Sequence, residues 1–370
     1  MIEVIDRDEI FRRSVDEHLV PIRALLTDDT VSEVMINGYD RIFVERKGKL
    51  SPAGISFPSD TALAAAVRNI AQYVGRTIDA ARPILDARLP DGSRVCVIAP
   101  PAAHRGIHVS IRRFPRKALT MRQLVEGGAL TESCRQVLAA CVEGKQNILV
   151  AGGTGSGKTS MLNALSAYIP DNERIVIIED SSEVQLQQPH RVQLEARPPD
   201  RKGRGAITIR DLLKATLRMR PDRIVVGEVR GGEAIDLIQA MITGHAGSMT
   251  TLHATHPNEA MHRLITLARM SDVQVPTDAL KAQTAAAINV IVQTSRLPDG
   301  SRCVTHVAEC VPIDQEGAYR VSMLYQLEMR GRDDQGQLCR ELLPTGERAS
   351  FAKQLVNLGL QLPPEMLPAM

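Results

Sequence analysis

Between Asn147 and Leu162 the chain reads NILVAGGTGSGKTSML, an apolar run that stops abruptly in glycines around a single lysine. Ile148 to Ala151 predicts a buried strand and Ser160 onward a helix, so the glycines fall in the turn between them. The spacing Gly152, four residues, Gly157, Lys158, Thr159 is that of the Walker A phosphate loop. Glycine lets successive N–H groups turn inward around an anion, and the start of a helix adds free donors and a positive dipole end. Gly153, Thr154, Gly155, Ser156, Gly157, Lys158, Thr159 and Ser160 are therefore the expected nucleotide-binding residues. Lys158 is placed to reach the β- and γ-phosphates, and Thr159 to hold magnesium. The alternative, a glycine-rich turn without a ligand, leaves the lysine and the strand and helix flanks unexplained.

A phosphate loop alone does not hydrolyse ATP. An acid for magnesium or water and positive charge at the transferred phosphoryl group are also needed. RIVVGE ends in Glu228 just past an apolar run, where a Walker B acid sits, and RIVIIEDSSE presents Glu179, Asp180 and Glu183 past another. TGHAGSMTTLHATH supplies His245, His253 and His256, in a spacing that lacks the usual pattern of metal ligands. A polar loop that reads the γ-phosphate is the better expectation. Two basic runs stand out. HVSIRRFPRKALTMR holds Arg112, Arg113, Arg116, Lys117 and Arg122, and LLKATLRMRPDR holds Lys214, Arg218, Arg220 and Arg223. Charge runs are usually solvated faces. Arg112, on a strand-like segment, is the exception, since a guanidinium delivered to the γ-phosphate would supply the missing charge.

The 370 residues suffice for two domains. From Val31 to Leu50 apolar and polar residues alternate around Asn37-Gly38, predicting a hairpin with a second turn at Lys47-Gly48. Asp60 to Val74 reads as a capped helix, and strands return before residue 114. Residues 1–114 are thus expected to form a small α+β domain. A linker over 115–119 follows Phe114-Pro115, and residues 120–370 alternate helix with strands at Asn147–Ala151, Arg174–Glu179 and Arg223–Gly227. Such alternation predicts a mainly parallel sheet with ligands at its carboxyl ends. No internal repeat is expected, and the stretch after Val311 gives only weak strand-like patterns.

Composition narrows the partners. Tryptophan is absent, aromatics make up 3%, and the net charge is +2, which gives a nucleic-acid partner little to stack on or be held by. No direct nucleic-acid contact is expected, against the alternative of a translocase on DNA. Six cysteines without C-x-x-C spacing suggest reduced, mostly buried thiols. The N-terminus, charged from its third residue, carries no apolar signal core, and no run of eighteen apolar residues appears, so a cytoplasmic place is expected.

In order along the chain, AGGTGSGKTS, IIEDSSEVQL, LRMRPDRIVVGEVRGGEA and TGHAGSMTTLHA resemble the Walker A, Asp box, Walker B and His box of the secretion-ATPase superfamily, which powers type II and type IV secretion and type IV pili. DARLPDGSRV and SIRRF resemble most closely its CpaF-type branch, the motors of tight-adherence pili. The resemblance spans about Thr30 to Cys310. It implies an α/β chain with a RecA-like P-loop domain and a smaller PAS-like domain, binding ATP and Mg2+. It further implies a homohexamer at the cytoplasmic face of the inner membrane, acting on membrane platform proteins to assemble or retract pili or to secrete protein. By the same resemblance Glu228 is the Walker B acid, Glu179 and Glu183 are Asp box acids, and His245 and His253 belong to the His box. Arg94 and Arg112 match phosphate-contacting arginines of the N-terminal domain, and Arg218 and Arg220 match a shared subunit edge. A type IV secretion or conjugation ATPase, and a nucleotide-gated scaffold with little turnover, are the alternatives.

Overall fold

A computed structural model describes residues 7–367 apart from 47, 114–117, 198, 200–202, 313–317 and 333–337. The chain divides into two compact units, Met1–Arg116 and Lys117–Met370. Of the expected linker, residues 115–117 lie outside the described residues.

In the first unit, α1 (Arg7–His18), α2 (Arg23–Thr27) and α3 (Asp60–Tyr73) cover one face of a six-stranded sheet. The strands are β1 (Val31–Asn37), β2 (Ile42–Arg46), β3 (Lys49–Pro52), β4 (Ile84–Arg88), β5 (Arg94–Ile98) and β6 (His108–Arg112), in spatial order β3-β2-β1-β6-β5-β4 with antiparallel neighbours. The turn expected at Asn37-Gly38 leads from β1 into β2, and Lys47 of the second expected turn lies outside the described residues. Ser59 caps α3 by accepting from the Ala62 N–H at 3.2 Å. Leu63, Ala66, Val67 and Ile70 then bury one helical stripe on the sheet.

The second unit begins with α4 (Met121–Glu126) and α5 (Glu132–Glu143). Then come β7 (Ile148–Gly152), α6 (Lys158–Ser166), β8 (Ile175–Glu179), β9 (Arg191–Glu195), α7 (Ile209–Thr216), β10 (Arg223–Val226), α8 (Glu233–Ile242) and β11 (Met249–Leu252). They are followed by α9 (Pro257–Ala268), α10 (Thr277–Ala287), β12 (Val290–Arg296), β13 (Arg302–Pro312), β14 (Tyr319–Arg332), β15 (Leu338–Pro344) and α11 (Ala352–Asn357). The sheet order is β15-β14-β13-β12-β7-β11-β10-β8-β9. From β12 to β9 all neighbours are parallel, and β13, β14 and β15 extend the sheet antiparallel. Strands β7, β8 and β10 are buried throughout, as their unbroken apolar runs require when helices cover both faces. The phosphate loop leaves the carboxyl end of β7, the central strand.

The weakly patterned stretch after Val311 turns out to be built into the core. Phe351, Leu355 and Met366 pack with α5 and α6 residues in one cluster. Buried Glu309 on β13 accepts from the Ser350 N–H at 2.9 Å, and the Tyr325 hydroxyl lies 2.7 Å from Ser133 Oγ. Its apolar residues are spaced irregularly, so no helical or strand period announces them. Cys134, Cys141, Cys303 and Cys310 are buried free thiols, and burial pushes Cys310 up to about 12. Among the described residues no helix is long and apolar enough to cross a membrane.

One expectation needs correction. The chain does contain a repeat: RLPDGSR occurs at 88–94 and again at 296–302. Seven residues fall far below the period of repeat architectures, so a search for those misses it. Arg223, one of the basic run with Lys214, Arg218 and Arg220, is fully buried. Its Nη1 donates to Val142 O at 2.7 Å and to Gly247 O at 3.3 Å, and its Nε is 2.5 Å from Glu173 Oε2. It thereby ties α5, β10 and the turn before β11 together. Removing one partner of a buried ion pair strands the other charge, so Arg223→Ala should cost about 3–5 kcal/mol. Denaturant unfolding followed by a probe in the second unit measures this; a loss under about 1 kcal/mol, the worth of an exposed pair, would contradict it.

Candidate functional site

Gly155 and Gly157 have φ of +68° and +96°, the left-handed region that side chains rarely adopt. They turn the chain from β7 into α6. A Cβ at Gly152 would collide with Ser156 Oγ and with Thr294 of β12, so only glycine lets the loop seat against that strand. Gly153 and Thr154 are exposed at the crest, whereas Ser156 is buried, its Oγ 2.9 Å from Thr294 Oγ1. Thr159 and Ser160 lie in the first turn of α6.

Lys158 is nearly buried, with its Nζ donating to Gly153 O at 3.0 Å and to His253 Nδ1 at 3.4 Å. His253 follows β11, the neighbour of β7, and its Nε2 lies 2.9 Å from Glu228 Oε1. That contact is close but poorly aligned: Glu228 Oε1 is buried and makes no hydrogen bond. The other oxygen, Oε2, accepts from Arg230 Nη2 at 2.7 Å, and Arg230 Nη1 donates to Asp180 at 2.8 Å. Lys158, His253, Glu228, Arg230 and Asp180 thus form one chain of alternating partners across the ends of β7, β11, β10 and β8.

Burial alone would raise the Glu228 carboxyl; Arg230, with His253 and Lys158, outweighs it and holds the group below the usual carboxylate range. Burial, reinforced by the Lys158 charge, lowers His253, against a smaller opposite pull from Glu228. A charged Glu228 beside a neutral His253 is therefore favoured at neutral pH.

The Asp box acids divide their labour. Glu179, buried, accepts from the N–H groups of Glu183 and Val184 at 2.8 and 2.9 Å, which shapes the loop after β8. Gly227 makes room for it, since a Cβ there would fall 2.9 Å from Glu179 Cγ. Glu183 then receives the Thr159 hydroxyl at 3.3 Å.

These residues fit a magnesium nucleotide. The loop offers one lysine, Thr159 and Glu183 are the oxygen donors that would hold magnesium, and Glu228 keeps a buried oxygen without a hydrogen bond.

Other expected residues lie elsewhere. His245 precedes β11, so about 13 Å of strand separates it from His253, and its Nδ1 meets Ala240 O at 3.2 Å at the end of α8. Arg218 and Arg220 are exposed before β10, again at the amino ends of the strands. These three thus stand at the strand ends remote from the phosphate loop, since adjacency to a motif strand does not say which end of it a residue occupies. Arg94 and Arg112 belong to the first unit, directly opposite each other on β5 and β6. Arg230 was missed, although it stands two residues past Glu228, within reach of the same carboxylate.

The family described as "Type II/IV secretion system protein" matches residues 15–332. A putative conjugal transfer protein of Mycobacterium tuberculosis is 33% identical over 328 residues, 87% of this chain and 92% of that protein. The type IV secretion system protein PtlH of Bordetella pertussis is 34% identical over 310 residues, 76% of this chain and 91% of that protein. Among solved structures, the Legionella pneumophila ATPase DotB covers 78% of this chain and 78% of its own at 22% identity and TM-score 0.56. The pilus retraction motor PilT with bound ADP covers 96% of this chain and 88% of its own, at 18% and 0.53. At such identities the likeness is one of fold, the α/β architecture with a RecA-like unit that the motifs led us to expect.

If Arg230 positions the Glu228 carboxylate, Arg230→Ala should leave nucleotide affinity near wild type and lower kcat by roughly 10–100-fold, with partial rescue by Arg230→Lys. Equal kcat in the alanine variant would remove it from that role.

Proposed function

Because the chain belongs to the type II/IV secretion system protein family, we propose that it hydrolyses ATP at the Walker A loop and converts each turnover into movement of a secretion or conjugation machine. The observation that carries this is the unbroken contact from Lys158 through His253 and Glu228 to Arg230 beside the phosphate loop. A mere phosphate-binding scaffold has no use for a carboxylate held ionised there with one oxygen unbonded.

Lys158 neutralises phosphate charge, exchanging Gly153 O and His253 for the nucleotide. Thr159, with Glu183 behind it and Glu228 nearby, holds magnesium, which supplies charge neutralisation to the phosphates when bound. Glu228 Oε1 orients the attacking water and takes its proton, while Arg230 fixes the carboxylate. His253, touching both Lys158 and Glu228, registers whether the γ-phosphate is present.

Arg94 and Arg112 are assigned as phosphate contacts of the first unit. Directly opposite each other on β5 and β6, they put two guanidinium-bearing residues on one face of the sheet. The exposed Arg218 and Arg220 are assigned to an edge between copies in a homohexamer. The working place is the cytoplasmic face of the inner membrane, with platform proteins as receivers of the motion. The names of the relatives favour type IV secretion or conjugation, and the tight-adherence pilus variant rests on DARLPDGSRV and SIRRF alone.

Steady-state hydrolysis with the mass measured in parallel tests the proposal. Glu228→Gln should bind nucleotide yet lose turnover by roughly 10²–10⁴-fold, and Lys158→Ala should lose both. Arg112→Ala should keep binding and lose most turnover. Nucleotide-dependent assembly with no wild-type turnover, even with the membrane partner added, would favour the gated scaffold instead.

A further inference from the structure

The duplicated string folds the same way twice. In the first copy Leu89 N–H donates to Ser93 O at 2.8 Å and Gly92 N–H to Leu89 O at 2.9 Å; in the second, Leu297 donates to Ser301 and Gly300 to Leu297 at the same two distances. Gly92 and Gly300 have φ of +88° and +86°. In both, the aspartate carboxylate accepts from the serine N–H at 2.9 Å. Each turn therefore sets its flanking arginines directly opposite each other: Arg88 with Arg94 across β4 and β5, Arg296 with Arg302 across β12 and β13.

The second pair is built against the phosphate loop of its own unit. Thr294 of β12 is the register partner of Gly152, so Arg296, the last residue of β12, reaches past the end of β7 beside the loop. Arg302 donates Nε–H to Gly155 O at 2.7 Å, and its Cδ lies 3.7 Å from where a Cβ on Gly157 would be. Arg296, exposed, brings Nη1 to 4.0 Å from the corresponding point on Gly155. Arg340 of β15 donates to Ser301 Oγ at 2.6 Å and lies 3.6 Å from Asp299, bracing the turn from behind.

We propose that this hairpin is a phosphate-reading arm of the nucleotide site: Arg302 is a positioning residue that holds the loop at Gly155, and Arg296 binds the polyphosphate of the nucleotide as a second cation beside Lys158. The inference rests on the phosphate loop being the nucleotide site. It adds charge from within the same unit, independent of Arg94 and Arg112. The guanidinium suits the role, because its planar fork grips phosphate oxygens and stays charged at any working pH.

Titration of the full chain with a fluorescent ADP analogue and Mg2+, with pyrophosphate as competitor, tests it. Arg296→Ala should weaken ADP and pyrophosphate alike by roughly ten- to hundredfold, Arg296→Lys should recover part of this, and the salt dependence of binding should fall. Arg302→Lys keeps the charge but loses the Nε–H to Gly155 O, so it too should weaken binding. Wild-type affinity in Arg296→Ala and Arg302→Lys, with Lys158→Ala weakened, overturns the arm and leaves the site intact. Wild-type affinity in Lys158→Ala as well overturns the underlying nucleotide site.

Discussion

A single ammonium group, nearly buried at the mouth of a glycine loop, has to be satisfied both with and without a nucleotide. Lys158 does this by leaning on Gly153 O and His253. A buried cation cannot be left without partners, so the loop, β11 and β10 must place acceptors around it. The order of the strands follows from that demand. β7 lies between β12 and β11, with β10 next, so the loop after β7 meets His253, Glu228 and Thr294 from three neighbouring strand ends. Parallel strands with helices on both faces bring those ends to one edge.

The same site shows how one charge sets the state of another. Burial raises the Glu228 carboxyl, and Arg230 outweighs that pull while occupying one of its two oxygens. Asp180 in turn holds Arg230, so an acid of the Asp box contributes through the arginine. Glu179 acts one step further back still, on the backbone that carries Glu183.

Much of this was legible in the sequence, and the omissions have a physical pattern. The phosphate loop, the three motif strands and the acids at their ends follow from local spacing, because a turn, a strand and a helix start are local events. What escaped depends on which strands become neighbours. Arg302 is unremarkable in the linear chain and meets Gly155 only when β12 arrives beside β7, and Arg230 meets Asp180 only when β8 arrives beside β10. His245 and His253 look equivalent in one motif, yet β11 separates them by its whole length. Arg223 looked like one more member of a basic run because nothing local reveals that Glu173 will be folded against it. The last forty residues lack a clear period and still complete the core through Phe351, Leu355 and Met366.

The most direct test of the account is a structure of the chain with Mg2+ and a non-hydrolysable ATP analogue. The account predicts that Lys158 Nζ leaves Gly153 O and His253 Nδ1 for the β- and γ-phosphates, and that a water in line with the γ-phosphate sits on Glu228 Oε1. A γ-phosphate bound with Lys158 still on its present partners, or a Glu228 turned away with no water between it and the phosphate, would contradict it.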